Sequence, residues 1–257
     1  MTGDMAQAQL PVVHAEQDGV LYNEMHGYVE DMDGASMRDS VIGVSEDHKV
    51  GLALEKYNAQ IKSVSYEVRS LDMSRLIEGG DDLQAEDDGK YLHISLTLKD
   101  LLTQGEEYLL VLKVQTEDQD LVRFYSILTY LGTNHVQDCV DFAQRFHEMT
   151  LTGDSDGVLN YLEQDGSMDG KNLGYINIHS RSGPVTWGDM QVVETGETSL
   201  RFTELESDIT ALTMEYQVTN TEINEQYQVR EAYRLRYTST RIYLLAYERW
   251  TDKILEP

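Results

Sequence analysis

Leu102-Thr-Gln-Gly105-Glu-Glu-Tyr108-Leu-Leu110-Val-Leu-Lys-Val114 is the stretch on which the reading of this chain turns. Gly105 marks a turn, and Tyr108 then opens an apolar run that continues to Val114. In two-sheet β-sandwiches a Tyr near the start of a late strand turns its hydroxyl back onto a backbone group a few residues upstream. Two positions later that strand buries a core residue, here Leu110. The stretch predicts the corner and sixth strand of a sandwich, an architecture that carries no chemistry of its own.

Outward from that corner, residues 10–131 form short alternating runs separated by turn residues. Candidate strands are 12–15, 20–22, 41–44, 50–55, 61–70, 76–78, 91–98, 108–115 and 121–131. Val64, Tyr66 and Val68 fall on one side of a strand, as do Leu92, Ile94, Leu96 and Leu98, and a period of two puts each set on the core face. Gln17-Asp18-Gly19, Asp33-Gly34 and Asp87-Asp88-Gly89 supply turns. Glu30-Asp31-Asp33 and Glu86-Asp87-Asp88 read as solvated turns between strands. The pattern resembles a sandwich of the immunoglobulin or fibronectin type III kind, with Leu110 where an antibody domain has Cys.

The period changes after Gly132. Thr133 or Asn134 is placed to cap a helix, and Val136, Cys139, Val140, Ala143, Phe146 and Met149 recur at three- and four-residue intervals. A shorter helix is expected from Asp154 to Asp156 onward, carrying Val158, Leu159 and Leu162. The chain then returns to β at 175–179, 191–194, 199–205, 211–218, 227–237 and 242–250. With Thr238 to Thr240 as the last turn, Leu235 faces Tyr243, Tyr233 faces Leu245 and Glu231 faces Tyr247. Helices first and a long antiparallel hairpin last is a segregated α+β layout, with the helices packed on one face of a curved sheet.

On element order and that terminal hairpin, residues 136–250 resemble the NTF2-like, cystatin-like superfamily, in which a bent sheet wraps around a helix as a cone. The expected organisation is a disordered segment or linker at 1–9, a sandwich at 10–132 and an NTF2-like α+β domain at 133–257. Taken together, the two halves look like uncharacterised envelope proteins of Gram-positive bacteria, held by a membrane segment upstream.

Charge narrows the partners. Acidic residues number 46 against 20 basic, a net of −26, spread over both halves: 25 against 10 up to Leu131, and 21 against 10 beyond it. Binding to nucleic acid or to an anionic membrane needs clustered Lys and Arg, so neither is expected. The one cysteine, Cys139, makes no internal disulfide and lies on the apolar helix face. No apolar run reaches the ~20 residues of a membrane-spanning helix, so attachment to a membrane is expected only through a missing upstream anchor.

Residues with chemical potential are few. Thr152 to Glu163 follows the calcium-loop template except at its first ligand position, where Thr152 replaces Asp, and no helix leaves the loop after Glu163. Asp154, Asp156 and Glu163 form a weak calcium candidate, read instead as a polar turn in which Asp154 or Asp156 caps a short helix. The seven histidines show no paired-ligand spacing, and no metal or cofactor is expected. His147, taken as lying in the last turn of its helix, suits the helix dipole. His179 precedes a loop, 180–184, that is expected to rim the opening of the cone. Tyr216, Tyr227, Tyr233, Tyr237, Tyr243 and Tyr247, with Trp187 and Trp250, make an aromatic stripe, which marks a packing surface more often than a pocket. If a pocket exists, Trp187, Asp189, Tyr216, Tyr233, Tyr247 and His179 line it.

No nucleophile elbow, phosphate loop or reactive Cys occurs. The sequence points to a non-enzymatic extracytoplasmic protein of a bacterial envelope that acts through protein or glycan contacts. The alternative is a small-molecule-binding or isomerase- or dehydratase-like cone with the sandwich as spacer. A cytoplasmic acidic adaptor is a further alternative.

Overall fold

The computed structural model describes residues 10–254 apart from 38–39, 58, 82, 100, 118–120 and 168–172. The expected linker at 1–9 lies outside the described residues. The protein is predominantly β, with three five-stranded sheets and three α-helices among the described residues. It divides into two compact units, 1–134 and 135–257. No described helix is long and apolar enough to cross a membrane.

The first unit holds β1 (Val12–Gln17), β2 (Val20–His26), β3 (Val41–Ser45), β4 (Lys49–Glu55), β5 (Ile61–Ser70), β6 (Leu76–Gly80), β7 (Gln84–Asp87), β8 (Tyr91–Thr97), β9 (Glu107–Thr116) and β10 (Leu121–Gly132). They form two sheets in the orders β2-β1-β4-β8-β7 and β3-β10-β9-β5-β6. Period-two alternation buries one face of the first sheet through Val13, Ala15, Leu52, Leu54, Ile94 and Leu96. The run from Leu109 to Leu112 does not alternate, because both faces of β9 are covered. Leu110 and Leu112 are buried on one side, while Leu109 and Val111 pack with Tyr125 under Tyr28, Met32, Met37 and Met73 on the other. At the corner, the Thr103 N–H donates to the Tyr108 hydroxyl at 2.9 Å, and that hydroxyl donates to Glu106 at 3.2 Å. Gly105 turns the chain there with φ 77°.

One expected turn is a strand. Glu86 and Asp87 belong to β7, all four residues of which are exposed. It pairs with β8 from Gln84 to Asp87, and with every residue exposed it leaves no alternation for a sequence pattern to register.

The second unit comprises α1 (Val136–Thr152), α2 (Ser155–Leu159), β11 (Tyr175–Asn177), α3 (Ser182–Val185), β12 (Val192–Leu205), β13 (Ile209–Asn220), β14 (Glu225–Tyr237) and β15 (Ile242–Lys253). The sheet runs β11-β15-β14-β13-β12 and is antiparallel throughout. Cys139, Val140, Ala143 and Phe146 form the buried stripe of α1, and Phe146 sets its ring against Tyr233 and Tyr247 of the sheet. Gly153 ends the helix in the left-handed conformation, φ 75°, with its N–H on the Met149 carbonyl.

Four expectations for this unit change. Neither Thr133 nor Asn134 caps α1; His135 holds the cap position without a side-chain bond, and the Asn134 amide donates to Gln17 and Gly43 instead. Because α1 continues to Thr152, His147 stands more than a turn before its end. The strands expected at 191–194 and 199–205 are one strand, β12, interrupted by a bulge between Thr195 and Ser199 where Gly196 takes φ 82°. In the last hairpin, Leu235 faces Leu244, Tyr233 faces Tyr247 and Glu231 faces Arg249. The cause is a bulge opposite Arg234 and Leu235 that inserts Leu245, together with closure of the turn by Tyr237 and Ile242. Tyr243 is consequently exposed, and Trp250 lies beside Arg230 and Tyr175, away from the buried tyrosines.

Candidate functional site

Strand alternation carries Val229, Glu231, Tyr233 and Leu235 of β14 to the buried face, and Tyr247 and Arg249 of β15 likewise. A carboxylate and a guanidinium are thereby placed in the interior at 0 % exposure. Burying either charge alone is expensive, so both must be paired. His147, next to Phe146 on α1, donates from Nδ1 to Glu231 at 3.0 Å. The Tyr233 and Tyr247 hydroxyls each donate to the same carboxylate at 2.7 Å. From its other nitrogen, Nε2, His147 reaches half-buried Glu194 of β12 at 3.3 Å, beside the bulge. Tyr216 of β13 sets its ring edge-on to the imidazole, centroids 4.5 Å apart.

Arg249 is held from the opposite side. Its terminal nitrogens donate to the Val185 carbonyl at 2.7 Å and the Pro184 carbonyl at 2.9 Å, and its guanidinium lies 3.9 Å from the centre of the Trp187 ring. The segment expected to be an open rim is thus a one-turn helix, α3, whose carbonyls serve Arg249. Trp187 follows in a left-handed conformation, φ 66°, which costs a non-glycine residue about 1–3 kcal/mol. The Trp187 indole N–H and the Arg249 Nε have no hydrogen-bond partner among the described residues.

Opposing effects set the charge states. Burial disfavours charge on His147, but Glu231 and Glu194 outweigh it and raise its pKa above the ordinary imidazole value. Burial likewise disfavours the Glu231 carboxylate, and His147, the Arg249 charge and the Tyr233 hydroxyl together lower its pKa. Tyr216, Tyr233 and Tyr247 are pushed well above the usual phenol range, first by burial and then by the Glu231 charge. The resulting unit is the His147 imidazole held between the carboxyl groups of Glu231 and Glu194. It forms a continuous line of proton-carrying groups from half-exposed Glu194 to buried Glu231.

Of the residues expected from sequence, Trp187, Tyr216, Tyr233 and Tyr247 are brought together here. Their surroundings are packed: Tyr233 and Tyr247 stand 5.9 and 4.8 Å from the Phe146 ring and 5.3 Å from each other. Asp189 is exposed on the loop after α3. His179 sits apart, its Nδ1 donating to the Glu163 carbonyl at 2.8 Å and lying 3.6 Å from Asp165. Asp154 caps α2 by accepting from the Gly157 N–H at 2.9 Å, whereas Asp156 and Glu163 are exposed. Among the described residues no three His, Cys, Asp or Glu side chains are grouped to hold a metal ion. Glu231, Arg249, Glu194 and the pairing role of His147 escaped the sequence. The available signal was a charged residue at an inward position of each long strand, Glu231 between Val229 and Tyr233, and Arg249 two beyond Tyr247.

No known protein-family model matches the chain, and no curated protein sequence matches it. Among solved structures, CopC from Methylosinus trichosporium is similar at 17 % identity over 41 % of this chain and 93 % of that one, with a TM-score of 0.27. At that score the likeness assigns neither fold nor function.

Proposed function

We propose that this chain is a non-enzymatic, extracytoplasmic protein that acts through protein or glycan contacts. In this reading an immunoglobulin- or fibronectin-like sandwich is followed by an NTF2-like domain. Among the described residues, ten strands in two sheets and the Thr103–Tyr108 bond support the first assignment. Helix α1 laid over a five-stranded antiparallel sheet supports the second. What favours the contact reading over an open ligand-binding cone is the commitment of Glu231, which spends its carboxylate on three protein donors inside a packed interior. A group so engaged holds its own fold together. A pocket in the cone would need the tyrosine rings to face open space, and they face Phe146 and His147 instead. Low Lys and Arg content supports partners other than nucleic acid. Fractionation of the native host tests the location: the full-length product belongs in the envelope or medium, and its confinement to cytosol would overturn the proposal.

A further inference from the structure

A cleft of about 640 Å³ opens on the first unit, within the size range of small-ligand sites. Its origin is topological. β6 pairs with β5 only from Tyr66 to Arg69, and three residues later the chain resumes as β7 in the other sheet. The start of β5, from Ile61 to Val64, and the edge strand β7 with Leu92 of β8 are left as facing walls.

The lining is mixed in a particular way. Among the described residues its four charged side chains cancel, Lys56 and Lys62 against Asp81 and Asp87, in a chain that carries a net charge of −26. Lys56 and Asp87 already pair at 2.5 and 2.6 Å. A lining whose described charges balance, on a protein this acidic, favours a neutral ligand over an anionic one. Gln60 and Ser63 add groups that both donate and accept, while Leu83, Ala85 and Leu92 provide apolar floor. At the rim stands Tyr57, 46 % exposed and in the left-handed region at φ 48°, an unusual conformation for a bulky residue.

Side chains that donate and accept, beside an exposed aromatic ring, suit a sugar. A pyranose presents an apolar C–H face, which stacks on a ring, and a belt of hydroxyls, which both donate and accept. We infer that this cleft is a binding site for a neutral oligosaccharide, with Tyr57 as the stacking platform and Gln60, Lys62 and Asp81 engaging its hydroxyls. The inference rests on the contact role proposed above and names its partner class.

The test is saturation-transfer difference NMR on the full chain with maltotriose, cellotriose and N,N′,N″-triacetylchitotriose. The expected result is transfer to pyranose C–H protons of at least one of them, with an affinity reduced about tenfold by Tyr57→Ala. Tyr57→Phe should retain it, and Tyr243→Ala, an exposed tyrosine on the second unit, should not alter it. Gln60→Ala provides a second lesion if Tyr57→Ala perturbs the melting curve. No transfer to any of the three, or transfer that survives both Tyr57→Ala and Gln60→Ala, overturns the inference. So does binding of an extended Val-Thr peptide in place of the sugars, which would mark the cleft as a strand-pairing groove. The two proposals fail separately. A cytosolic chain that binds sugar loses the location and keeps the cleft, and an envelope chain without transfer loses the cleft alone.

Discussion

Glu231→Gln preserves the volume of a fully buried side chain and removes its charge. The native carboxylate accepts from His147 at 3.0 Å and from Tyr233 and Tyr247 at 2.7 Å each. Glutamine offers one acceptor oxygen in place of two and turns an amide donor toward groups that are themselves donors. Each hydrogen bond to a charged group contributes roughly 1.5–3 kcal/mol, but three that share one carboxylate do not add. Removing one member of a buried pair costs about 3–5 kcal/mol. Glutamine keeps one acceptor, and His147 can lose its proton while retaining Glu194, so the loss should fall near the low end, about 3 kcal/mol. For a domain of this size that corresponds to about 10 °C in the melting transition of the second unit, followed by near-ultraviolet circular dichroism of its tyrosines. A double-mutant cycle with His147→Gln isolates the pair, and the double variant should lose less than the sum of the singles by about 2 kcal/mol. A single-variant loss under about 1 kcal/mol, or additivity within about 0.5 kcal/mol, would refute the assignment of a coupled buried pair.

The same pair sets a pH window. The contribution of His147 is complete below 6.5 and is lost as pH rises through its raised folded value, whereas that of Glu231 is complete above 4.5 and is lost as pH falls through its lowered one. Urea midpoints of wild type minus the double variant should therefore peak between these values and decline on both sides, and a flat difference would sink the argument. Tyr108→Phe removes the acceptor of the Thr103 N–H and should lower stability by about 1 kcal/mol in urea titration, with no change counting against the corner. Cys139 is buried, and burial pushes its thiol up to about 11. It should stay unreactive toward a disulfide reagent at neutral pH until the second unit is unfolded, so rapid native labelling would contradict its placement.

Where side chains report burial by their spacing, the sequence was enough to locate the elements. Tyr66 and Val68 of β5, with Val64 half-buried at the cleft, and the stripe from Cys139 to Phe146 of α1 each follow one period, and both elements stand where that period puts them. Tyr108 was legible for a different reason, since a corner tyrosine is defined by a local hydrogen bond a few residues away. The edge strand β7 was not legible, because a strand with every residue exposed has no apolar period to display. The unity of β12 was hidden by Gly196, which reads as a turn but serves a bulge.

The candidate site was half visible for a related reason. Its aromatic members advertise themselves by composition, whereas its charged members depend on register. Shifting the hairpin pairing exchanges the residue opposite Glu231, from the expected Tyr247 to Arg249. Tyr247 still reaches Glu231, but diagonally and through its hydroxyl, while the neighbouring Arg249 adds the positive charge that helps keep the carboxylate ionised. The shift is produced by the extra residue Leu245, and nothing in the local pattern of 242–250 distinguishes a regular strand there from a bulged one. His147 adds a third dependency, because its partner lies on a strand 84 positions away and is fixed only once α1 is seated on the sheet. A buried polar network of this kind is a property of three elements in mutual register. Its sequence trace reduces to two inward-facing charges that a hydrophobic pattern would otherwise exclude, and that mismatch between residue type and position is the feature that marks such a site before any coordinates exist.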